Sequence, residues 1–162
     1  MRAKTATGPL LRAAALLALL LVGGNALRAE DSPRDSTADD LRPATVFASI
    51  ERAWVMGDAE AVVQQFGKRK VSISLPDGGP EDGTYSRAQS FFILKDFFDV
   101  THTEEFSFVS IHQPEDQPHT AIGRAERTFR RRDSSKLLQD RIFVSLVQEN
   151  DRWVVAEIKS IR

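Results

Sequence analysis

SRAQSFFILKDFFDV, residues 86–100, is the stretch of sequence that decides the fold. Ser86 and Gln89 stand at the spacing of a capping box, in which two side chains satisfy free backbone N–H groups at a helix start. Large apolar side chains then recur at helical spacing and cover about half of the helix circumference. They are Phe91, Ile93, Leu94, Phe97, Phe98 and Val100. The stretch therefore predicts an amphipathic helix whose phenylalanines fill a core.

Phe92 departs from this pattern, because it lies among the charged residues on the opposite side of the predicted helix. A large apolar side chain in a polar surface indicates either a lid over a loop or a contact patch for a partner. A second copy of the same chain is one such partner, so Phe92 is a candidate residue for a homodimer contact.

The hydrophobic period changes from helical to alternating after this helix and stays alternating to the last residues. Four consecutive strands are predicted, at residues 105–112, 119–130, 137–149 and 152–161, joined by short polar connections. Such connections favour an antiparallel meander. The third of these strands has apolar side chains on both faces, which predicts a central position in the sheet. Gly123 inside the second predicts a β-bulge that bends the sheet.

The segment before the Phe-rich helix predicts two further helices and one strand. Residues 43–56 carry an apolar stripe at helical spacing, and Gly57 and Asp58 supply its C-terminal stop and the N-cap of a short second helix. KVSISL, residues 70–75, alternates strictly and predicts a strand with one solvent-exposed face. Residues 76–83 are rich in Gly, Pro and acidic residues and predict a loop.

The N-terminus predicts a signal peptide over residues 1–29. Basic residues precede an unbroken apolar run at residues 13–22, and Ala26 and Ala29 each offer a small residue for cleavage. The run is shorter than the roughly 20 residues that span a bilayer, so cleavage is favoured over a retained anchor. Residues 30–42 are acidic and poor in large apolar side chains, which predicts a disordered linker. The expected location is the periplasm or the extracellular space, with no transmembrane segment after cleavage.

Composition excludes several classes of protein. The chain of 162 residues has no cysteine, which excludes a disulfide framework, a lipid-attached N-terminal cysteine and cysteine metal sites. Removing residues 1–29 takes away four of the 22 basic residues and none of the 23 acidic ones, which leaves the remainder about five charges negative. Nucleic-acid binding depends on a surplus of Lys and Arg, so a nucleic-acid partner is not expected.

Three phrases of the sequence resemble a known superfamily: ASIERAWVMGDAEAVVQQF at residues 48–66, YSRAQSFFILKDFF at residues 85–98 and IGRAERTF at residues 122–129. They are similar to the nuclear transport factor 2-like (cystatin-like cone) superfamily, and within it to an uncharacterised family of small exported bacterial proteins. The resemblance covers residues 44–162 and implies one α+β domain over residues 43–162.

The fold that the resemblance implies has three N-terminal helices packed on a strongly bent, mostly antiparallel sheet. This cone-shaped barrel has the order helix, helix, strand, helix and four strands. The resemblance carries no catalytic residue to transfer, and it implies that the outer sheet face is a second candidate surface for a homodimer.

Enzymes of the superfamily, such as ketosteroid isomerases, dehydratases and epoxide hydrolases, place ionisable side chains inside the cone, as the resemblance implies. In this chain the inward positions are almost wholly apolar, with Asp140 and Glu157 as exceptions by strand parity. Either carboxyl group could act as a general base if burial raised its pKa. The alternative, which the sequence favours, is that each lies near a strand end where its charge reaches water. No catalytic residue is therefore predicted.

Histidines and arginines supply two further candidate sites. His112 and His119 flank a predicted hairpin that also contains Glu115 and Asp116, but their spacing matches no established metal motif, so no metal site and no cofactor are predicted. A second hairpin gathers basic side chains that suit anionic lipid headgroups, cell-wall polymers or an acidic partner, or that keep strand edges soluble. They are Arg127, Arg130, Arg131, Arg132 and Lys136.

These observations together predict an exported, non-catalytic binding or interaction domain. Its partner would be an unknown protein, an envelope component or a small apolar molecule. Trp54, Tyr85 and Trp153 are the predicted binding residues, because binding pockets are mostly apolar with few polar groups. The alternative is an enzyme of isomerase, dehydratase or hydrolase type that uses the cone cavity on an apolar substrate.

Overall fold

The computed structural model describes residues 42–75, 79–80 and 82–161. The predicted signal peptide and residues 30–41 of the predicted linker lie outside the described residues. No helix in the described part of the chain is both long enough and apolar enough to cross a membrane.

Local sequence signals set several ends of the three helices in the described residues. They are α1 (Pro43–Met56), α2 (Ala59–Gln64) and α3 (Arg87–Val100). Gly57 ends α1 with a left-handed φ of 66°, a conformation that glycine adopts without strain. The Asp58 carboxylate accepts the backbone N–H of Ala61 at 2.9 Å and so caps α2. The predicted capping box of Ser86 and Gln89 is present at the start of α3.

The sheet contains one parallel pairing among its described strands. Its described strands are β1 (Val71–Ser74), β2 (Gly83–Tyr85), β3 (Thr101–His112), β4 (Thr120–Arg131), β5 (Leu137–Glu149) and β6 (Arg152–Ile161). Their order across the sheet is β2-β1-β6-β5-β4-β3, with β1 parallel to β6 and the other neighbours antiparallel. β5 lies inside the sheet, which confirms its predicted central position and the predicted meander.

The bounds of two strands differ from the sequence prediction. Residues 83–85 form the edge strand β2, whereas the sequence predicts a loop that extends to residue 83. Three residues are too few to show an alternating pattern, so this strand carries no sequence signal. β3 begins at Thr101, directly after α3, rather than at residue 105.

Gly123 does not form the predicted β-bulge. It pairs in register with Ile111 and Val144. The register shifts of the sheet fall between Thr103 and Glu105, between Phe108 and Ser110, and between Ser145 and Leu146. A Cβ at Gly123 would lie 2.5 Å from a ring carbon of Phe47. Glycine is therefore required because α1 approaches the sheet backbone closely.

The core lies between the helices and the concave face of the sheet. Trp54 of α1 is fully buried; its ring stacks on Phe106 at 5.0 Å between ring centroids. It also meets Phe97 and Phe98 edge-on, and such contacts contribute about 0.5–1.5 kcal/mol each beyond their buried area. The buried phenylalanines of α3 are therefore architectural, as predicted. Val100 differs from the prediction, because it is 46% exposed at the end of α3.

Candidate functional site

A buried ion pair lies on the concave face of the sheet. Arg127 of β4 and Asp140 of β5 are register partners, and neither side chain has any solvent exposure. Arg127 shares the inner face of β4 with Ala125 and Phe129, because alternate residues of this strand face the helices. The predictions that Asp140 reaches water at a strand end, and that Arg127 belongs to the exposed basic hairpin, are therefore wrong.

The two side chains of this pair satisfy each other in a bidentate arrangement. Nε and Nη2 of Arg127 donate to Oδ1 and Oδ2 of Asp140 at 2.9 and 2.7 Å. The Ser160 hydroxyl of β6 donates to Oδ2 of Asp140 at 3.0 Å. The guanidinium carbon lies 4.7 Å from the ring centroid of Phe97 and 3.9 Å from that of Phe129, so two aromatic rings contact the cation. Among the described residues, Nη1 of Arg127 has no hydrogen-bond partner.

This geometry gives the ion pair little capacity for catalysis. Asp140 already accepts three hydrogen bonds from side chains, and its carboxylate has no surface open to a substrate. A general base must come within about 2.6–3.2 Å of the proton that it removes. Burying two charges costs desolvation energy, which their attraction and hydrogen bonds offset only when the geometry is good. The pair joins directly opposite positions of β4 and β5.

Glu157 faces outward, contrary to the sequence prediction. Strict alternation would place Glu157 on the same face of β6 as Trp153 and Val155. The register shift beside Leu146 inserts one extra residue into β6, which turns the following side chains to the opposite face. Glu157 therefore pairs with Ser145 on the outer face and accepts its hydroxyl hydrogen bond at 3.2 Å. Neither of the two carboxyl groups that the sequence singled out stands alone inside the cone.

The three predicted binding residues have different surroundings. Trp54 is enclosed by α3 and β3, and its indole N–H has no acceptor in the described part of the chain. Tyr85 on β2 is half-buried against the core. Trp153 on β6 is 7% exposed and lines a groove of about 250 Å³ together with Gln65, Arg152 and residues of α1. Trp153 thus borders an accessible groove, whereas Trp54 has no accessible surface. Binding at these residues stays a prediction.

The hairpin between His112 and His119 was the candidate metal site of the sequence. Nδ1 of His119 lies 2.7 Å from Oε1 of Gln148 on β5. Within residues 42–75, 79–80 and 82–161, no group of three or more His, Asp or Glu side chains is arranged to hold a metal ion.

Accessible side chains also line two larger pockets among the described residues. The α2–α3 groove, of about 540 Å³, is lined by Glu60, Val63, Arg87, Ala88, Phe91 and Phe92. Phe92 is 62% exposed there, which confirms its predicted position outside the core. The tip pocket, of about 490 Å³, lies beside the β4–β5 hairpin and is lined by Phe129, Arg131, Asp133, Ser134, Lys136, Leu138 and Gln139. Sequence reasoning found neither pocket, although it singled out Phe92 and the hairpin cations.

Comparison with known proteins identifies the family. Residues 47–160 match the family described as a domain of unknown function, DUF4783. The chain belongs to this family. No curated protein is significantly similar in sequence to this DUF4783 chain.

Solved structures extend the likeness of the DUF4783 chain beyond its own family. A DUF4783 protein from Bacteroides ovatus is 12% identical, with a TM-score of 0.56 over 70% of this chain and 91% of that chain. One from Bacteroides uniformis is 10% identical, with a TM-score of 0.56 over 71% and 94%. An NTF-2 like protein of unknown function from Shewanella oneidensis is 15% identical, with a TM-score of 0.54 over 76% and 98%. These likenesses confirm the nuclear transport factor 2-like fold.

Proposed function

We propose that this DUF4783 chain is an exported, non-catalytic binding domain. The observation that carries the proposal is the state of the concave face, where Arg127 and Asp140 are hydrogen-bonded to each other without any exposed surface. An enzyme needs at least one group that reaches its substrate. Accessible charged and apolar groups line, among other places, the α2–α3 groove and the tip pocket, where they favour binding without chemistry.

Export is supported by the N-terminal order of basic residues, apolar run and small residues. We expect a chain with a C-terminal tag, expressed in a bacterial host, to be recovered from the periplasm or medium and to begin after Ala26 or Ala29. The intact mass of the recovered protein identifies the cut. Uncut chain in the cytoplasm would contradict export, and uncut chain in the membrane would indicate a retained anchor.

The binding function is tested by recovering the ligand. We expect tagged protein purified from its native envelope to carry a protein, an envelope component or a small apolar molecule, which mass spectrometry identifies. The matched control is the same purification after the chain has been unfolded and refolded, which releases a bound molecule. Protein that elutes alone in repeated purifications would contradict the binding function.

Self-association through Phe92 is a separable part of this proposal. If Phe92 forms the contact between two copies, light scattering shows a dimer that Phe92→Ala converts to a monomer. Met56 of α1 is 71% exposed and provides the control, because Met56→Ala removes another exposed apolar side chain outside the α2–α3 groove. A monomer in the unmodified protein would exclude this contact, and an equal effect of both variants would show that it is not specific.

The alternative function is a small-molecule enzyme of isomerase, dehydratase or hydrolase type. One observation that favours it is the Arg127–Asp140 pair inside the cone. Another is the likeness to a Bacillus subtilis protein provisionally described as an isomerase, which is 11% identical, with a TM-score of 0.58 over 72% of this chain. Such chemistry requires Phe129 or α3 to move so that Asp140 meets a substrate. The double variant Arg127→Met/Asp140→Leu separates the two functions. A binding domain keeps its copurified ligand in this variant, whereas an enzyme that uses the pair retains unconverted substrate.

A further inference from the structure

The α2–α3 groove has an aromatic edge that projects into solvent. Phe92 is 62% exposed, and its ring meets the half-buried ring of Phe91 edge-on at 5.3 Å between ring centroids. Both rings line the groove, and Ala88 lies exposed one helical turn before Phe92. The contact with Phe91 places the Phe92 ring beside the hollow, so one surface presents a projecting ring and a hollow next to it.

Two opposite charges line the same groove. Glu60 lies in the first turn of α2 and Arg87 in the first turn of α3, and both residues are exposed. Among the described residues, neither charge has an ion-pair partner. The charges of Lys95 and Asp99, farther along α3, already pair with each other at 2.7 Å. Glu60 and Arg87 are therefore the charges of the groove lining that a docking partner can neutralise.

A surface of this kind is complementary to itself. In a two-fold symmetric contact the same patch of both copies meets, so each feature must find its complement within that patch. The groove contains both members of two complementary pairs, a projecting ring with a hollow and a cation with an anion. A partner of one charge sign would neutralise only one of Glu60 and Arg87 and would meet a like charge at the other.

We propose that a second copy of this chain occupies the α2–α3 groove. The Phe92 ring of each copy enters the groove of the other and packs on its Phe91 and Ala88, while Arg87 of each copy pairs with Glu60 of the other. This inference rests on the self-association that forms part of the proposed function. It names the occupant of the groove and the charge pairs that select this occupant.

The contact belongs to the weak, concentration-dependent class. A phenylalanine side chain buries roughly 200 Å², so the exposed part of Phe92 contributes about 120 Å² from each copy. Stable interfaces bury more than about 1,000 Å² in total, so the two rings supply only part of that area. We therefore expect a monomer–dimer equilibrium that shifts with protein concentration rather than a permanent dimer.

Charge reversal tests the pairing directly. Glu60→Arg places two cations opposite each other at both symmetric positions of the contact, and Arg87→Glu places two carboxylates there. An exposed ion pair of average strength is worth about 2.3-fold in affinity, and each single variant turns two attractions into two repulsions, so we expect about 30-fold weaker dimerisation. Sedimentation velocity over a series of protein concentrations measures the dissociation constant.

Mixing the two variants provides the decisive measurement. In a mixed dimer every charge again meets its opposite, so an equimolar mixture is expected to dimerise about as strongly as the unmodified protein, although neither variant does so alone. Lys159→Glu is the control, because it changes the net charge as Arg87→Glu does, at an exposed position of β6 outside the groove. This control should leave the dissociation constant unchanged. All three positions are exposed, so the melting temperature should stay near that of the unmodified protein.

Three results would overturn this inference. A protein that stays monomeric at every concentration excludes the second copy, and loss of a copurified ligand from Arg87→Glu would then assign the groove to that ligand. Weakening by Lys159→Glu but not by the two groove variants places the contact on the outer sheet face. A mixture that dimerises no better than the separate variants refutes the pairing of Glu60 with Arg87. In each case a ligand recovered from the native envelope leaves the binding function standing, whereas its absence contradicts that function separately.

Discussion

Arg127→Met is expected to lower the free energy of unfolding by about 3–5 kcal/mol, because it leaves the fully buried carboxylate of Asp140 without its cation. Methionine keeps an unbranched apolar stem between Phe97 and Phe129, so the loss reports on charge rather than on an empty cavity. In a domain of this size each kcal/mol lowers the melting temperature by roughly 3–6 °C, so we expect a decrease of about 10–30 °C. Urea denaturation followed by tryptophan fluorescence and circular dichroism measures the free energy directly.

The same chain provides the control. Arg130→Met makes the identical change in an ion pair with Glu104 whose side chains are 43% and 35% exposed, and such pairs contribute only about 0–1 kcal/mol. The double variant Arg127→Met/Asp140→Leu removes both buried charges and is expected to recover most of the stability that the single variant loses. If Arg127→Met costs no more than Arg130→Met, the pair is not shielded from water and the reasoning about the concave face is refuted.

Three further predictions follow from the packing and from an exposed ion pair of α3. Phe97→Ala is expected to lower the free energy of unfolding by about 3–5 kcal/mol, and Phe92→Ala by less than about 0.5 kcal/mol, because Phe97 is fully buried and Phe92 is exposed. Equal losses in urea denaturation would contradict the architectural role of α3. Gly123→Ala is expected to cost about 1–3 kcal/mol because the new methyl group overlaps an aromatic ring of α1, and an unchanged melting temperature would argue against that contact. Lys95→Met is expected to raise the pKa of Asp99 toward its ordinary value of 3.8, because the hydrogen bond and charge of Lys95 lower it in the folded chain. Because the folded pKa of Asp99 is lowered, its stabilisation of the fold is complete above the ordinary pKa and is lost as the pH falls through the folded pKa. An NMR titration of the Asp99 carboxyl measures this pKa. An unchanged pKa in the Lys95→Met variant would refute this assignment.

The order of elements could be predicted because its signals are local. Gly57 and Asp58 define the corner between α1 and α2 by their own backbone preferences. Ser86 and Gln89 specify the start of α3 through contacts three residues apart. Each signal acts within one helical turn, so no knowledge of the tertiary structure is needed to read it.

The polar contacts of the sheet depend on register, which the sequence does not state. Alternation with Ala125 and Phe129 already indicates that Arg127 faces inward, so its burial was readable. Its partner was not, because the position of Asp140 opposite Arg127 depends on where the connecting hairpin turns. The outward orientation of Glu157 follows from an extra residue in β6 that has no glycine or other local marker.

The pockets were beyond prediction for a different reason. Each forms where separate elements meet, α2 with α3 in one case and the ends of β4 and β5 in the other. Their volumes depend on the distances between these elements, which follow from the packing of the whole core. The sequence could therefore indicate exposed residues such as Phe92 and Lys136, but not the cavities beside them.

The irregular pairing of β3 affects the tendency of the protein to aggregate. β3 is twelve residues long and is the outermost strand on its side of the described sheet. A long, regular outermost strand recruits strands from other molecules and starts fibrils. The register shifts beside Glu104 and Val109 break its hydrogen-bonding row into short pieces. Polymerisation through this side of the molecule is thereby disfavoured by the strand's own backbone.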